Sequence, residues 1–464
     1  MPPSLDELLA HSQKFLEDLR ERKEPTLIVS HYDADGLSSA SIFAWIFLQL
    51  DVPFHLVFVE QTYPDTLEDL PFKDYSYVIF LDLGSGYKEL IREFTSNKKV
   101  MIVDHHVPSE PERWDHLVEI NPYLVGVDAS TQTSSSTLSY SIALRVVRAD
   151  ENLIPVALAG ALGDRLDIGE KSSLLGLNRA VLEEGKKRGV VGEAISLRLF
   201  GFKRRPLVEA LASTIDPYIP GLSGNPTACI KFLESIGINP RNGDTARNIG
   251  SLSHAEIKHL ASELVKYMIS MNVNVKEAEK IFGYNYFSLR EADSSPLKDL
   301  REYAYVLNAL GRLDQYGTAI SLNFGHRGKY IVRAEESIKE YRRLIAKQLN
   351  NIVEQRSARV VSGRATIVFF IEENMPKLTG PVSSILANEF AQILRNTGNK
   401  IVGVASPLEG EKMKVSFRRL DESVNLGSLL QKYAKELNFV GGGHPAAGGA
   451  LLDEKILEEL LKRI

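Results

Sequence analysis

A single cysteine, Cys229, stands in 464 residues, which excludes an intramolecular disulfide framework and a thiolate metal cluster within the chain. A reducing, cytoplasmic setting is the expectation. Long apolar runs are missing as well: the longest mostly apolar stretch, Ala40 to Leu50, is too short to span a bilayer, so no membrane association is expected. The opening Met-Pro-Pro-Ser-Leu-Asp-Glu is acidic and lacks the order of a secretory signal. Nor is positive charge in surplus. With 55 Lys+Arg against 60 Asp+Glu, a formal −5, no overall field draws in a polyanion, so a nucleic acid would have to be held by local patches or metal. What is present, 25% charged and 44% hydrophobic residues, describes a soluble folded protein long enough for two or three domains.

Residues 1–24 carry Leu5, Leu8, Leu9, Phe15 and Leu19 at helical spacing. From Thr26 the pattern changes to β-rich stretches, Thr26–Ser30, Phe54–Val59, Tyr77–Leu83 and Val100–Val103, alternating with helical segments at Leu37–Leu50 and Tyr87–Thr95. Strands alternating with helices, two of the strands continuously apolar, predict an α/β fold with a doubly wound, mostly parallel sheet covered on both faces. Helices are expected at Thr137–Arg148, Ile154–Leu162 and Leu174–Lys187. Residues 190–330 show short helical pieces and turn-rich segments without clean alternation, and read as an inserted helical region. Glu335–Glu354 reads as a long helix with Ile338, Tyr341, Leu344, Ile345, Leu349 and Ile352 on one face. Strand signals return at Ala365–Ile371, Lys400–Ala405, Lys412–Arg418 and Gly449–Leu452, around a helix at Ser383–Thr397. The expected domains are therefore 1–189, 190–330, a connecting helix 331–356, and a smaller α/β domain 357–464.

Chemistry concentrates at strand ends. His31-Tyr32-Asp33-Ala34-Asp35-Gly36 follows an apolar strand and precedes a helix; alternate residues of an extended segment point the same way, so His31, Asp33 and Asp35 can meet at one cation. An EF-hand loop is excluded, because the position that needs a bidentate Glu is Ile42. Asp82 and the run Asp104-His105-His106 each end another apolar strand, and Asp164 follows a small, apolar helical segment. In open α/β sheets ligands sit outside the carboxyl ends of the strands. Any one of these aspartates alone reads equally as a helix cap. Together, the carboxylates and histidines on one rim would repel and desolvate one another without cations. Mixed imidazole and carboxylate ligands favour Mn²⁺, with Mg²⁺ the alternative, and an aspartate shared between two ions, most naturally Asp82, makes a two-metal centre suited to phosphoester hydrolysis.

In this order, His31-x-Asp33-x-Asp35-Gly36, Asp82, Asp104-His105-His106 and Asp164 resemble the successive motifs of the DHH phosphoesterase superfamily. Phe439-Val440-Gly441-Gly442-Gly443-His444-Pro445-Ala446-Ala447-Gly448-Gly449 resembles the glycine-rich motif of its associated C-terminal domain. The resemblance implies two Mn²⁺ ions in a cleft between the domains, with Asp33, Asp35, Asp82, His105 and Asp164 as ligands and Asp82 bridging. His31 is a further ligand at a position where bacterial RecJ-type members carry Asp. It gives His106 the place facing the scissile phosphate and Asp104 that of an orienting residue.

Consecutive glycines can curl into an anion-binding nest, with Gly441, Gly442 and Gly443 donating and His444 adding a side-chain donor; the alternative is a glycine-rich hairpin. Ser416-Phe417-Arg418-Arg419 resembles the family's phosphate-gripping segment, with Ser416 and Arg418 or Arg419 on the anion and Phe417 either stacking on a base or packing in the core. Leu307-Asn308-Ala309-Leu310-Gly311-Arg312 has a look-alike in archaeal RecJ-like proteins, in which Arg312 contacts phosphate and Gly311 reads as a helix cap. Basic clusters at Lys203-Arg204-Arg205, at Arg342-Arg343 with Lys347, and at Arg356, Arg359 and Arg364 are either strand-tracking patches or solvated faces.

Length separates the chain from the shorter pyrophosphatases and nanoRNA phosphatases, and leaves the archaeal RecJ-like exonucleases. The expected activity is Mn²⁺-dependent release of mononucleotides from single-stranded DNA or RNA in replication or repair, with 3′→5′ favoured. The resemblance points to the GINS complex or the Hef helicase/nuclease as partner, and homo-oligomers are open. The alternatives are a phosphodiesterase for very short oligonucleotides or cyclic dinucleotides, and a non-catalytic replication or repair scaffold.

Overall fold

The computed structural model describes residues 4–109, 114–202, 204–353, 359–372, 374–408, 410–443 and 445–464. Two compact units emerge, Met1–Ile338 and Lys339–Ile464. Among the described residues no helix is long and apolar enough to cross a membrane.

The first unit is built on a five-stranded, all-parallel sheet: β1 (Thr26–His31), β2 (Phe54–Val59), β3 (Tyr77–Leu81), β4 (Lys99–Val103) and β5 (Leu117–Ile120), in the order β2-β1-β3-β4-β5. The two strands flanking the reversal of order, β1 and β3, are buried almost throughout, because crossover helices cover both faces. This explains the apolar runs Leu27–Val29 in β1 and Tyr77–Leu81 in β3. Helix Ala34–Leu50 is apolar around nearly its whole circumference and lies buried against helices Ser135–Val146 and Leu153–Gly163. On the opposite face Val29, Val78, Phe80, Val100 and Ile102 pack with Phe72, Ile91 and Trp114.

The middle region has its own core, including Leu197, Leu207, Leu211, Cys229, Leu233, Leu260, Leu264 and Met268. It holds helices, as expected, and also an antiparallel ribbon pairing Val191–Leu197 with Phe282–Ser288, which the sequence reading missed. The reason is compositional. Gly283 and Asn285 take inward positions of the second strand, so the inward side is not marked by apolar residues. The long helix runs Lys329–Val353 and starts six residues before the expected Glu335, directly after Gly328 in a left-handed conformation at φ 57°.

The second unit carries a six-stranded mixed sheet in the order Val360–Ser362, Thr366–Phe370, Ile401–Pro407, Lys412–Arg419, Ala447–Asp453, Val440–Gly443. Only the second and third strands run parallel. The expected helix Ser383–Thr397 is two helices, Pro376–Glu389 and Ala391–Asn396. The first starts seven residues earlier than expected: Pro376 opens it, where a missing N–H costs nothing, and Pro381 sits inside it. Helices Leu426–Leu437 and Glu454–Arg463 pack on the face holding Val415, Phe417, Ala450 and Leu452. Phe417 is fully buried in that core, which decides between its two readings in favour of packing.

Candidate active site

The strand order reverses between β1 and β3, and at such a switch point the outgoing chains diverge and leave a crevice at the carboxyl ends. His31 ends β1 and Asp82 follows β3, one on each side of that crevice.

After His31 the chain turns and Asp33 caps helix Ala34–Leu50. Its Oδ1 accepts from the backbone N–H groups of Asp35 (3.1 Å) and Gly36 (3.0 Å), while Oδ2 lies 3.0 Å from His31 Nδ1. Capping and site duty are thus divided between two oxygens of one carboxylate. Gly36 is dictated by the turn, since a Cβ there would fall 2.1 Å from the His31 carbonyl oxygen.

Asp82 adopts a left-handed backbone at φ 61°, and its carboxylate is almost fully buried. Oδ2 faces His31 Nδ1 at 3.4 Å; Oδ1 faces His105 Nε2 at 3.5 Å and accepts the Ser135 hydroxyl at 3.1 Å. His105 Nε2 also stands 3.0 Å from Asp164 Oδ2 and 3.8 Å from Asp35 Oδ2. Three groups of donors result: Asp35, Asp82, His105 and Asp164; His31, Asp33 and Asp82; and Asp82, His105 and His106. Asp82 alone belongs to all three, and it turns one oxygen toward the first set and the other toward the second.

Asp35 is fully buried at the N-terminus of helix Ser135–Val146. Ser135 N–H donates to its Oδ2 (2.7 Å), and the Ser136 N–H (3.0 Å) and hydroxyl donate to its Oδ1. Helix Leu153–Gly163 presses against this group through Gly160, where a Cβ would meet Ser136 Oγ at 2.2 Å and Asp35 Oδ1 at 2.6 Å, and Asp164 caps its end. The sequence reading passed over Ser134–Ser136. The signal was available, because Ser134 and Thr137 form a capping box ahead of an apolar run.

Asp104 orients the last histidine. Its Oδ1 accepts from the backbone N–H of His105 (2.8 Å) and of His106 (3.2 Å) and lies 2.7 Å from His106 Nδ1, and Oδ2 accepts from Ser85 N–H at 3.0 Å. This pairing places a proton on Nδ1 and leaves Nε2 for the half-exposed side of the ring. Asn121, just beyond β5, donates to the His106 carbonyl and to Ser85 Oγ, each at 2.9 Å. Missing β5 hid Asn121, although it obeys the same strand-end rule as the other site residues.

The electrostatics are those of a site built for cations. Burial, followed by the charges of Asp82 and Asp164, pushes the Asp35 carboxyl well above its usual range. Asp164 is raised by burial and then by Asp33. Burial would also raise Asp82, but His105 and His31 hold it well below the usual range. His105 is raised because Asp164 and Asp82 outweigh burial, and His106 because Asp104 does. The histidines and protons stand where divalent ions would relieve the same repulsion. Among the described residues, the buried atoms His105 Nδ1, His105 Nε2 and Asp82 Oδ2 make no hydrogen bond of good geometry, and the last two stand only in ion-pair contact with their neighbours. Two of the three belong to the donor sets, so the residues present fit a divalent pair.

Beside this rim, helix Leu300–Arg312 brings Asn308, whose Oδ1 accepts from Ala34 N–H (3.2 Å) and from Arg312 Nη1 (2.9 Å). Gly311 is not a helix cap: it lies inside the helix, and a Cβ would fall 1.8 Å from the Tyr32 carbonyl oxygen. Close approach to the first motif is what selects glycine there.

In the second unit Ser416 Oγ bonds Thr379 Oγ1 at 2.8 Å, and Arg418 donates from Nε to Ser384 Oγ (2.9 Å) and from Nη2 to the Gly380 carbonyl (3.3 Å). Arg419 N–H donates to the Ala446 carbonyl. Gly441, Gly442 and Gly443 do not curl into a nest. They form the edge arm of a hairpin, paired with Ala450, Gly449 and Gly448, because the extended backbone hydrogen-bonds to the neighbouring strand. His444 lies outside the described residues, as do Lys203 and Arg356. Of the basic clusters, Arg204 and Arg205 converge on buried Glu302, Arg343 pairs with Glu340, Lys347 with Glu372, and Arg359 with Glu454. Arg204 and Arg205 therefore serve the fold and are not a solvated tracking patch.

Three family models match the chain in order: the DHH family N-terminal domain at residues 25–162, the DHH-CID domain at 199–282 and the DHHA1 domain at 363–464. The uncharacterized protein MJ0831 of Methanocaldococcus jannaschii is 26% identical over 446 residues, covering 94% of this chain and 91% of that protein. Among solved structures, Cdc45 from Entamoeba histolytica aligns with a TM-score of 0.62 at 12% identity, covering 98% of this chain and 99% of its own. RecJ from Thermus thermophilus in complex with Mn²⁺ aligns with a TM-score of 0.55 at 16% identity, covering 98% of this chain but 53% of the RecJ chain, so this protein spans about half of that enzyme. These structural likenesses establish the fold. Three domains matched in sequence along most of the chain, over a rim where two donor sets share Asp82, lead to the assignment that the chain belongs to the DHH superfamily of metal-dependent phosphoesterases and has a RecJ-like fold.

Proposed function

We propose that the protein is a Mn²⁺-dependent exonuclease, able to use Mg²⁺, that releases mononucleotides from single-stranded DNA or RNA in replication or repair, with 3′→5′ the favoured direction. The observation that carries this reading is Asp82, which turns one carboxylate oxygen to each of two donor sets. A divalent pair held there by His31, Asp33, Asp35, Asp82, His105 and Asp164 would supply the charge that activates water and stabilises the oxygens of an in-line displacement at phosphorus. The chain's own groups have separable tasks. The serine-capped helix N-terminus fixes Asp35, and Ser135 fixes Asp82. His106, steered by Asp104, offers Nε2 to the phosphate and donates a hydrogen bond to an oxygen that gains charge. Ser416, Arg418 and the strand pair Gly442 and Gly449 are the groups assigned to the substrate chain. A Cβ at Gly449 would meet only Val415 O at 3.9 Å and at Gly442 only Gln431 Cγ at 3.8 Å, and neither backbone is left-handed, so the fold itself does not require glycine there. Glycine there leaves room for a ligand. Carriage by a GINS-type or Hef-type partner in the cytoplasm belongs to the same proposal.

The test is digestion of end-labelled single strands of both chemistries with Mn²⁺ or Mg²⁺, resolved as a ladder. A ladder of single-nucleotide steps that needs metal, and is lost in both Asp82→Ala and His106→Ala, is expected. Activity confined to dinucleotides, or unchanged hydrolysis by both variants, refutes the reading.

A further inference from the structure

Strand Lys412–Arg419 alternates in the manner of a sheet with two different faces. Met413, Val415 and Phe417 point into the core with Leu430, Ala450 and Leu452. The other parity faces helix Pro376–Glu389, as the contacts of Ser416 with Thr379 and of Arg418 with Gly380 and Ser384 establish. Lys414 belongs to that second row and is partly buried. Its cross-strand partners are Ser406 and Leu451; those of Ser416 are Val404 and Gly449, with Gly442 next in line.

We propose that Lys414 and Arg418 form a two-cation clamp, with Ser416 between them, that holds two phosphates of one nucleic-acid strand beside the Gly449–Gly442 opening. The proposal deepens the exonuclease reading and rests on it for the identity of the ligand. Four residues of strand set the two side-chain origins about 13 Å apart. Arg418 is tied at its own end of the row by Gly380 and Ser384 and does not swing to meet Lys414, so each cation serves a separate phosphate. Energetics support the same assignment. Burial, and after it the Arg418 guanidinium, pushes the Lys414 ammonium down to about 7, the mark of two cations sharing a desolvated face. A polyanion laid along the row relieves both costs, whereas a single phosphoester at Arg418 relieves neither at Lys414.

The experiment uses the full chain. Binding of a fluorescein-labelled oligothymidylate decamer is followed by anisotropy in EDTA, where no cleavage occurs, at several salt concentrations. Hydrolysis of bis(p-nitrophenyl) phosphate with Mn²⁺ is measured in parallel. Lys414→Met is expected to weaken decamer binding about tenfold and to reduce the slope of log K against log salt by about 0.7, the share of one single-strand phosphate contact. Lys414→Arg should keep the wild-type slope, and both variants should hydrolyse the small diester within twofold of wild type. An unchanged slope in Lys414→Met, or an equal loss on the small diester, overturns the clamp. If wild type digests strands but the slope does not move, the clamp fails alone. If the slope moves but no strand is digested, the exonuclease reading fails alone.

Discussion

Replacing Gly160 with alanine tests the site without touching a ligand. The added Cβ would lie 2.2 Å from Ser136 Oγ and 2.6 Å from Asp35 Oδ1, both far inside ordinary contact. Neither atom can yield freely, because Asp35 is pinned by the backbone N–H groups of Ser135 and Ser136, and Ser136 Oγ is held between Asp35 and the Ala157 carbonyl, 2.8 Å from the latter. Overpacking of this kind costs about 1–3 kcal/mol. Alanine's better helix propensity returns about 1 kcal/mol, so fold stability should fall by at most about 2 kcal/mol. Metal binding should suffer more. Disturbing the support of a ligand typically costs about 10–100-fold in metal affinity. At a Mn²⁺ concentration 100 times the wild-type Kd, wild type gains about 2.7 kcal/mol from the ion, and a variant binding 100-fold more weakly gains only about 0.4 kcal/mol. Calorimetric unfolding with and without Mn²⁺ reads this directly: a rise of about 5 °C in wild type should shrink to about 1 °C. Gly317→Ala is the control, since no atom lies within 4 Å of its Cβ position and its φ is not positive. It should stabilise by about 0.4–1 kcal/mol. An equal Mn²⁺-dependent rise in Gly160→Ala and wild type would refute the packing argument.

Ser135→Ala removes the hydroxyl that donates to Asp82 Oδ1 but keeps the N–H to Asp35, so Mn²⁺ titration calorimetry should show about tenfold weaker binding, with Ser135→Thr restoring it. A second prediction concerns pH. Burial, with Glu302 adding to it and Arg301 opposing, pushes the Asp299 carboxyl up from 3.8 to about 6. The folded state therefore binds the proton more tightly than the unfolded chain, and this contribution, about 3 kcal/mol, is present at low pH and lost as pH rises through 6. Asp299→Asn keeps a side-chain oxygen for the N–H groups of Arg301 and Glu302. It should raise the unfolding temperature at pH 8 and give no advantage at pH 3, below the unfolded value; an equal shift at both would contradict the burial account.

Where backbone and side chain tell the same story, the sequence was readable. Strand β3 announces itself by the unbroken apolar run Tyr77–Leu81, and Asp82 is conspicuous because it ends that run. Asp33 could be read as a cap or as a site residue, and it is placed as both, since one carboxylate has two oxygens. Less legible were contacts that depend on three-dimensional proximity. The short strand β5 has three half-buried positions of four, so Asn121 had no apolar run to stand out against. Gly311 looked like a helix terminus because the Tyr32 carbonyl that excludes a side chain is far away in sequence. The C-terminal glycines suggested a curled loop, yet their pairing partners, Gly448 to Leu451, make an extended arm. Fixed spacing was visible; which neighbour fills or vacates the adjoining space was not.

The distance in chain between Asp35 and the serines that seat it has a consequence for biosynthesis. Those hydrogen bonds join residues 100 and 101 positions apart, and Asp164 must be added to complete the donor set. A ribosome adding about 5–20 residues per second needs on the order of ten seconds or more to deliver that last carboxylate. Until then no nascent fragment owns a finished donor set, even though all five strands of the first sheet, the last ending at Ile120, have already been made.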